Sequence, residues 1–404
     1  MKIFIKNFVP LLIITTCFCS CKAQQRASVI LPIADIKATP EKTSPSMLPV
    51  KFKNHQNQES QVLFGEQVIV APSKHAGWSA ILAPEQPIKI NLTDLQTLQL
   101  ISQKFGYNIT TERWFACPGL LETHQTSPAL MNPSHTSLLV TKEYWSNIFK
   151  APQESATQFE QPISIGSKLH GKRINETWWE VSMPENTAGY IKNDLVYEIQ
   201  PQVEPDINAL RMSFVTTSRK FIGSYYIWGG RSSAMSGNQK LDNQITGVDC
   251  SGLVHVCLAA HGLTCPRNSH DQYLASAPIQ SGRELQPGDL MFFYNPQRAR
   301  EGKSFRITHV MIYSGNGLLI EATAGTSTFD GVLEHSVEGK IGQPVENLIN
   351  GQKYLINNLE DGQVKQVEYQ LFMGSFFNAP EKLHRMRNLA LNPEIIINDP
   401  TFNF

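Results

Sequence analysis

The chain has 404 residues, with 35 lysines and arginines against 35 aspartates and glutamates, so its formal net charge is zero. That balance leaves no electrostatic footprint for nucleic acid, and the length allows two or three domains. After Cys21 only Cys117, Cys250, Cys257 and Cys265 remain, too few for a disulfide framework in so long a chain and without the paired CxxC spacing that would suggest zinc. No metal and no cofactor are expected. A bridge from Cys265 to Cys257 or Cys117 stays open in an oxidising compartment.

Lys2 and Lys6 precede an apolar run from Phe8 through Ile14, which ends in Cys17, Cys19 and Ser20-Cys21. Residues 1–20 therefore read as an export signal, too short for a stable span. Ser20-Cys21 resembles a bacterial lipoprotein cleavage site, with Phe18 where an aliphatic residue is usual. The resemblance implies lipidation of Cys21 and a membrane-anchored protein facing the periplasm or cell wall. Cleavage after Ala23, giving a secreted protein, is the alternative. Residues 21–49, polar and dotted with proline from Ala27 to Pro49, are expected to form a flexible tether.

Over residues 50–125, the alternation in 61–70 and 77–82 predicts strands of a first small barrel, with a helix from Leu92 to Phe105 on the spacing of Leu95, Leu98 and Ile101. Residues 126–205 predict a second all-β module, with short strands at Pro162 to Leu169, Thr177 to Met183 and Ala188 to Lys192. Strand alternation sends one ring of Trp178-Trp179 inward and the other outward.

Residues 206–378 carry the chemistry. Leu253, Val254, Cys257 and Leu258 share one helical face with Cys250, Asp249 can cap that helix and Gly262 can end it. Cys250 then occupies the first turn, where unpaired N–H groups and the helix dipole favour an anion. Thr308 to Tyr313 reads as a strand presenting His309 as a base. His255 lies about 140° around the helix from Cys250, and His261 roughly 16 Å along its axis, so neither meets the thiol; both read as surface or helix-end residues. His270 reads as a rim or packing residue, and Asp289, after Pro287-Gly288, as a turn residue.

Tyr226-Ile227-Trp228-Gly229-Gly230, Asp249-Cys250-Ser251, Arg267-Asn268-Ser269-His270-Asp271-Gln272 and Leu285-Gln286-Pro287-Gly288-Asp289-Leu290, followed by His309, agree in order with one pattern. From about Asp206 to Phe377 the chain resembles the NlpC-type cysteine peptidases of bacterial cell walls, and residues 126–205 resemble the bacterial SH3-like domains often joined to them. The resemblance implies an α+β protein whose papain-like catalytic domain, a Cys-bearing helix packed on an antiparallel sheet, follows two small SH3-like β-barrels. It assigns Cys250 as nucleophile, His309 as base, the Cys250 N–H and Tyr226 as oxyanion donors, and Asp249, Ser251 and Ser269 as residues that help hold substrate.

The third catalytic position departs from the family, which more often has His, Asn or Gln. Ile307 to Tyr313 and Leu318 to Thr323 flank Ser314-Gly315-Asn316-Gly317, a hairpin sequence. A loop of Ser314 to Asn316 puts Glu321 opposite His309, and a loop of Gly315 to Gly317 makes it the diagonal neighbour, in both cases on one face. A two-residue Asn316-Gly317 turn puts it on the other face. Glu321 is taken as the residue that orients His309.

The implied activity is hydrolysis of the amide between γ-D-glutamate and a diamino acid in peptidoglycan-derived peptides, during wall turnover or recycling. In close three-domain relatives the first barrel walls off the site and selects a free N-terminal L-alanine; Glu66 is the candidate contact for that amine. An acyltransferase or amidase using the same pair, or a catalytically silent wall-binding lipoprotein, stays open. Loop 231–246, rich in Ser, Gly, Asn and Gln, reads as a mobile rim, Tyr369 to Phe377 as a closing strand, and 379–404 as a tail without an assigned role.

Overall fold

The structure, a computed structural model, describes residues 24–41, 57–127, 136–200, 206–235, 246–324, 330–360 and 363–404. The export signal and Cys21 lie outside the described residues. Three antiparallel sheets follow one another along the chain. The first contains β1 (Gln25–Val29), β2 (Ile33–Lys37), β3 (Gln58–Leu63), β4 (Gln67–Pro72), β5 (Trp78–Ile90), β6 (Arg113–Glu122) and β7 (Thr126–Ser127), in the order β3-β2-β6-β5-β4-β1-β7. The polar tether expected over 21–49 is thus corrected at its start. Ala27, Val29, Ile33, Ala34 and Ile36 are buried, and β1 and β2 pair with β4 and β3. Five buried apolar side chains decide the conformation against the polar average of the segment.

The predicted helix is present as α1 (Leu95–Phe105). Asp94 caps it by accepting from the Thr97 N–H, Gly106 ends it in the left-handed conformation, and Ile101 and Phe105 turn inward. The second sheet orders as β13-β12-β11-β8-β14, from β8 (Ser137–Thr141), β11 (Lys168–Arg173), β12 (Trp178–Met183), β13 (Thr187–Lys192) and β14 (Val196–Glu198), beside a small ladder of β9 (Trp145–Ser146) and β10 (Ile163–Ser164). Here the expected outward tryptophan is corrected. Trp178 and Trp179 are both buried, because the chain around Phe149 bridges to Tyr190 and covers the outer face. Phe149 meets Trp178 edge-on at 5.3 Å, and Trp179 donates its indole N–H to Asn193.

In the third unit, α2 (Ile207–Arg219), α3 (Cys250–Ala259) and α4 (Ser269–Ala275) pack on a sheet of β15 (Ala277–Pro278), β16 (Leu290–Tyr294), β17 (Ile307–Gly315), β18 (Leu318–Thr323), β19 (Gly331–Ser336), β20 (Lys353–Glu360) and β21 (Gln363–Ser375). Short helices α5 (Gln297–Arg300) and α6 (Val337–Ile341) interrupt it. Every residue of α3 is buried, as for a helix enclosed on all sides. β21 is the expected closing strand, longer than the sequence suggests.

The tail forms α7 (Pro380–Leu391) and α8 (Ile395–Asn398) and binds back onto the first two units. Arg113 donates to the carbonyls of Ile396, Ile397 and Asp399, Trp114 Nε1 donates to Asn403, and the Phe404 ring meets Trp114 at 4.8 Å. Lys168 donates to the Ala390 carbonyl. Cys117, Cys250, Cys257 and Cys265 are all free, and burial pushes the thiols of Cys117, Cys257 and Cys265 up to about 12.

Buried charges join the units. Arg231 Nη1 donates to both Glu66 oxygens at 2.7 and 2.8 Å, and Lys168 pairs with Glu85 at 2.6 Å. The expected rim loop is therefore anchored at its start: Arg231, Ser232 and Ser233 are buried, because Glu66 and Gln61 of the first unit take the hydrogen bonds of Arg231 and Ser232, and Ser164 and Tyr144 of the second take those of Ser233. Residues 236–245 lie outside the described residues. Arg231→Met removes the cation hydrogen-bonded to the buried Glu66 carboxylate, leaving it only the charge of Lys168, which is already paired with Glu85, and is expected to lower stability by about 3–5 kcal/mol. Urea unfolding of Arg231→Met and of the double variant with Glu66→Gln checks this: the double variant should recover part of the loss, and equal stability of wild type and single variant would show that the pair does not hold the junction.

Candidate active site

The start of α3 is built around one carboxylate. Asp249 accepts from the Gly252 N–H (2.6 Å) as N-cap and from the Gly229 N–H (3.0 Å). Arg267 grips the same group, Nη1 to Oδ1 at 3.1 Å and Nη2 to Oδ2 at 2.8 Å, and also donates to Ser251 Oγ (3.1 Å) and, through Nε, to Ser60 Oγ (2.7 Å) on β3. Gly252 is required by packing: a Cβ there would lie 2.0 Å from the Gly230 carbonyl oxygen. Cys250, the first residue of α3, is thereby held at the junction of helix, Trp-Gly-Gly loop and first sheet.

Of the residues expected to meet substrate, Asp249 and Ser251 turn out to be engaged in this frame, both buried and bonded to Arg267. The N-cap alternative describes the Asp249 carboxylate. Ser269, at the start of α4, is half-buried and donates to the Ile307 carbonyl, two residues from His309. Tyr226 is buried against Cys250. Burial, then the neighbouring Cys250 and Asp249, raise its pKa well above the ordinary tyrosine value, which keeps its hydroxyl a proton donor.

The β17–β18 hairpin settles the register in an unexpected way. Asn316 and Gly317, at φ 52° and 71°, form the tight turn that by itself would send Glu321 to the wrong face. An irregularity between Tyr313 and Gly315 adds one residue, so Tyr313 pairs with Leu319 and Ile312 with Ile320. Carried down the ladder, Glu321 becomes the diagonal neighbour of His309. His309 Nε2 donates to Glu321 Oε2 at 2.5 Å, which leaves Nδ1 for the Cys250 thiol.

Burial disfavours charge on His309, but its hydrogen bonds to Cys250 and Glu321, with the charges of both, outweigh that and push its pKa up to about 9. Burial also works against a charged Glu321. Lys340 and hydrogen bonds from His309 and His335 nevertheless hold its carboxyl well below the usual range. His335 donates to Glu321 Oε1 at 2.8 Å, as does Lys340 Nζ at 2.8 Å. Sequence reasoning missed both. The β18–β19 register makes His335 findable, as the diagonal partner of Glu321, whereas nothing in the spacing announces Lys340.

Two expectations are corrected. Glu66 is not an open carboxylate: it is 1% exposed and bonded to Arg231 in the junction, because β4 begins there facing the catalytic unit. His255 is not a surface residue. It is 1% exposed, its Nε2 lies 3.0 Å from the Glu85 carbonyl of β5, and burial lowers its pKa well below the ordinary value. His261 contacts Thr217 at 3.1 Å, and His270 accepts from the Ile307 N–H beside Phe305 and Tyr273. Asp289 is fully buried on Arg211 at 2.6 Å, a fixed turn residue.

Comparison with known proteins bears on this geometry. The NlpC/P60 family matches residues 223–342. A γ-D-glutamyl-L-lysine dipeptidyl-peptidase of Bacillus cereus is 26% identical over 275 residues, 67% of this chain and 68% of that protein. The bifunctional muramidase/DL-endopeptidase CwlT of Bacillus subtilis is 41% identical over 103 residues, 26% of each chain, so this chain spans about a quarter of that relative. In fold, the chain resembles the crystal structure of an NlpC/P60 family protein from Bacillus cereus, with a TM-score of 0.56 and 19% identity over 78% of this chain and 94% of that one. The unit built on α3 and the β16–β19 ladder is thus the part of this chain that matches the NlpC/P60 family, with antiparallel sheets before it.

Proposed function

We propose that the chain is a cysteine peptidase that hydrolyses the amide between γ-D-glutamate and a diamino acid in peptidoglycan stem peptides. The observation that carries this reading is Cys250 at the start of α3, beside a His309 whose far nitrogen is bound to the buried Glu321. His309 takes the thiol proton and the thiolate attacks the γ-carbonyl. The Cys250 N–H and the Tyr226 hydroxyl meet the oxyanion, such donors being worth about 3–4 kcal/mol each. His309 then protonates the departing amine, the C–N bond breaks, and water releases the γ-carboxylate from the thioester.

The two N-terminal sheets serve, in this reading, as SH3-like modules, and the first as a wall of the site. Its support is contact: Ser60 meets Arg267, and a Cβ on Gly229 would lie 2.8 Å from the Gln58 carbonyl oxygen. The carboxylate open to solvent here is Glu59 on β3. The residue is exposed, yet partial desolvation of its carboxyl raises its pKa, against the charges of Arg267 and Arg306. It replaces Glu66 as the group facing a free amine. Residues 1–21 support export and lipid attachment at Cys21; palmitate labelling lost in Cys21→Ala would bear this out, and labelling retained would contradict it.

Purified protein incubated with L-alanyl-γ-D-glutamyl-L-lysine should release free lysine, read by mass spectrometry, and Cys250→Ala should not. Hydrolysis should hold while His309 keeps its proton and fall as pH rises through about 9. Uncut peptide, or full activity in Cys250→Ala, would overturn the reading. The same peptide acetylated on its amine should lose at least about tenfold in kcat/KM, by bulk and by the lost charge contact. Equal rates would remove the wall from the account and point to intact peptidoglycan.

A further inference from the structure

The carboxylate that holds His309 has three donors. His309 takes Oε2, while His335 and Lys340 share Oε1, each at 2.8 Å. Lys340 comes from α6, placed by Ser336, which caps the helix by accepting from the Gly339 N–H, and by the buried Val337 and Ile341. Its side chain is 15% exposed and that of Glu321 is 1% exposed, so this is no solvated surface pair. His335 reaches the same oxygen from β19. We propose that Lys340 and His335 are positioning residues: Lys340 sets the pH range over which Cys250 and His309 hold their proton, and His335 pins Oε1 so that Oε2 stays on the ring.

The argument is one of charge and geometry, and it rests on the reading of Cys250 and His309 as nucleophile and base. Facing Glu321 are His309 from β17, His335 from β19 and Lys340 from α6; facing His309 are Cys250 from α3 and the uncharged Phe293 from β16; Cys250 in turn also feels Tyr226 and Arg267, which the Lys340 variants leave in place. Glu334, next to His335, is turned to Arg219 and Ser314. With Lys340 in place, the negative Glu321 is balanced before the thiolate and imidazolium form. Without it, a buried unit of net negative charge must lose a proton to make the thiolate and another to lose the imidazolium. Both losses become harder, and both limits move to higher pH.

The test uses the pH dependence of Cys250 alkylation by iodoacetamide, which needs no substrate. The three other described cysteines are buried with thiols pushed up to about 12 and stay silent. Lys340→Met should move the inflections up by about one pH unit, Lys340→Gln should do the same, and Lys340→Arg should restore them towards wild type. His335→Leu should lower kcat about fivefold with KM little changed, and His335→Gln, which keeps an N–H donor, should recover most of it. Inflections unmoved in Lys340→Met and Lys340→Gln, with unchanged thermal midpoints, would overturn the inference. Shifted inflections in an enzyme that cuts no stem peptide would support it and overturn the proposed function instead.

Discussion

A buried guanidinium fixes the geometry on which the chemistry depends. The Arg267 guanidinium makes four donor contacts, two to Asp249, one to Ser251 and one to Ser60, and its backbone N–H donates to the Pro87 carbonyl. One residue thus closes the N-cap of the nucleophile helix, shields its charge and draws the first sheet against the site. Such a buried pair need add little net stability, but losing one member leaves the other charge stranded at a cost of several kcal/mol. A lysine, with a single ammonium, could not bridge two carboxylate oxygens and two hydroxyls in this plane. The position of Cys250 is therefore a consequence of Arg267 as much as of the helix.

A second charged group acts at the other end of the dyad. Glu321 sits under His309 with His335 and Lys340 behind it, so the imidazole is held between a thiol and a carboxylate that is itself neutralised. Both buried anions near the site, Asp249 and Glu321, have their own cation. That arrangement lets thiolate and imidazolium form without stranding either buried carboxylate beside no cation.

The residues of the dyad were legible in the sequence because they depend on local rules. Asp249 before an apolar helix announces a cap, and a strand followed by Ser-Gly-Asn-Gly announces a hairpin. Glu321 was legible only as alternatives, since register turns on one extra residue near Ser314 that no propensity specifies. Contacts between units were not legible. Glu66 and His255 read as exposed because each is polar and stands in an unremarkable pattern; their burial comes from partners more than 160 residues away, Arg231 for one and Glu85 for the other. The inward turn of both tryptophans has the same cause, a covering segment around Phe149 that strand alternation cannot foresee. The tail was opaque because its role lies in its contacts with Arg113 and Trp114.

Across the three units, the first sheet, the catalytic helix and the tail form one continuous packing, so the wall and the nucleophile are placed by the same contacts. The central claim is that bond cleavage passes through an acyl group on Cys250. Acid quenching during turnover of the free stem tripeptide, followed by intact-protein mass measurement and peptide mapping, tests it most directly. The account predicts an added L-alanyl-γ-D-glutamyl mass on the peptide containing Cys250, lost on treatment with hydroxylamine. Turnover with no adduct at Cys250, or with an adduct on another residue, would contradict it.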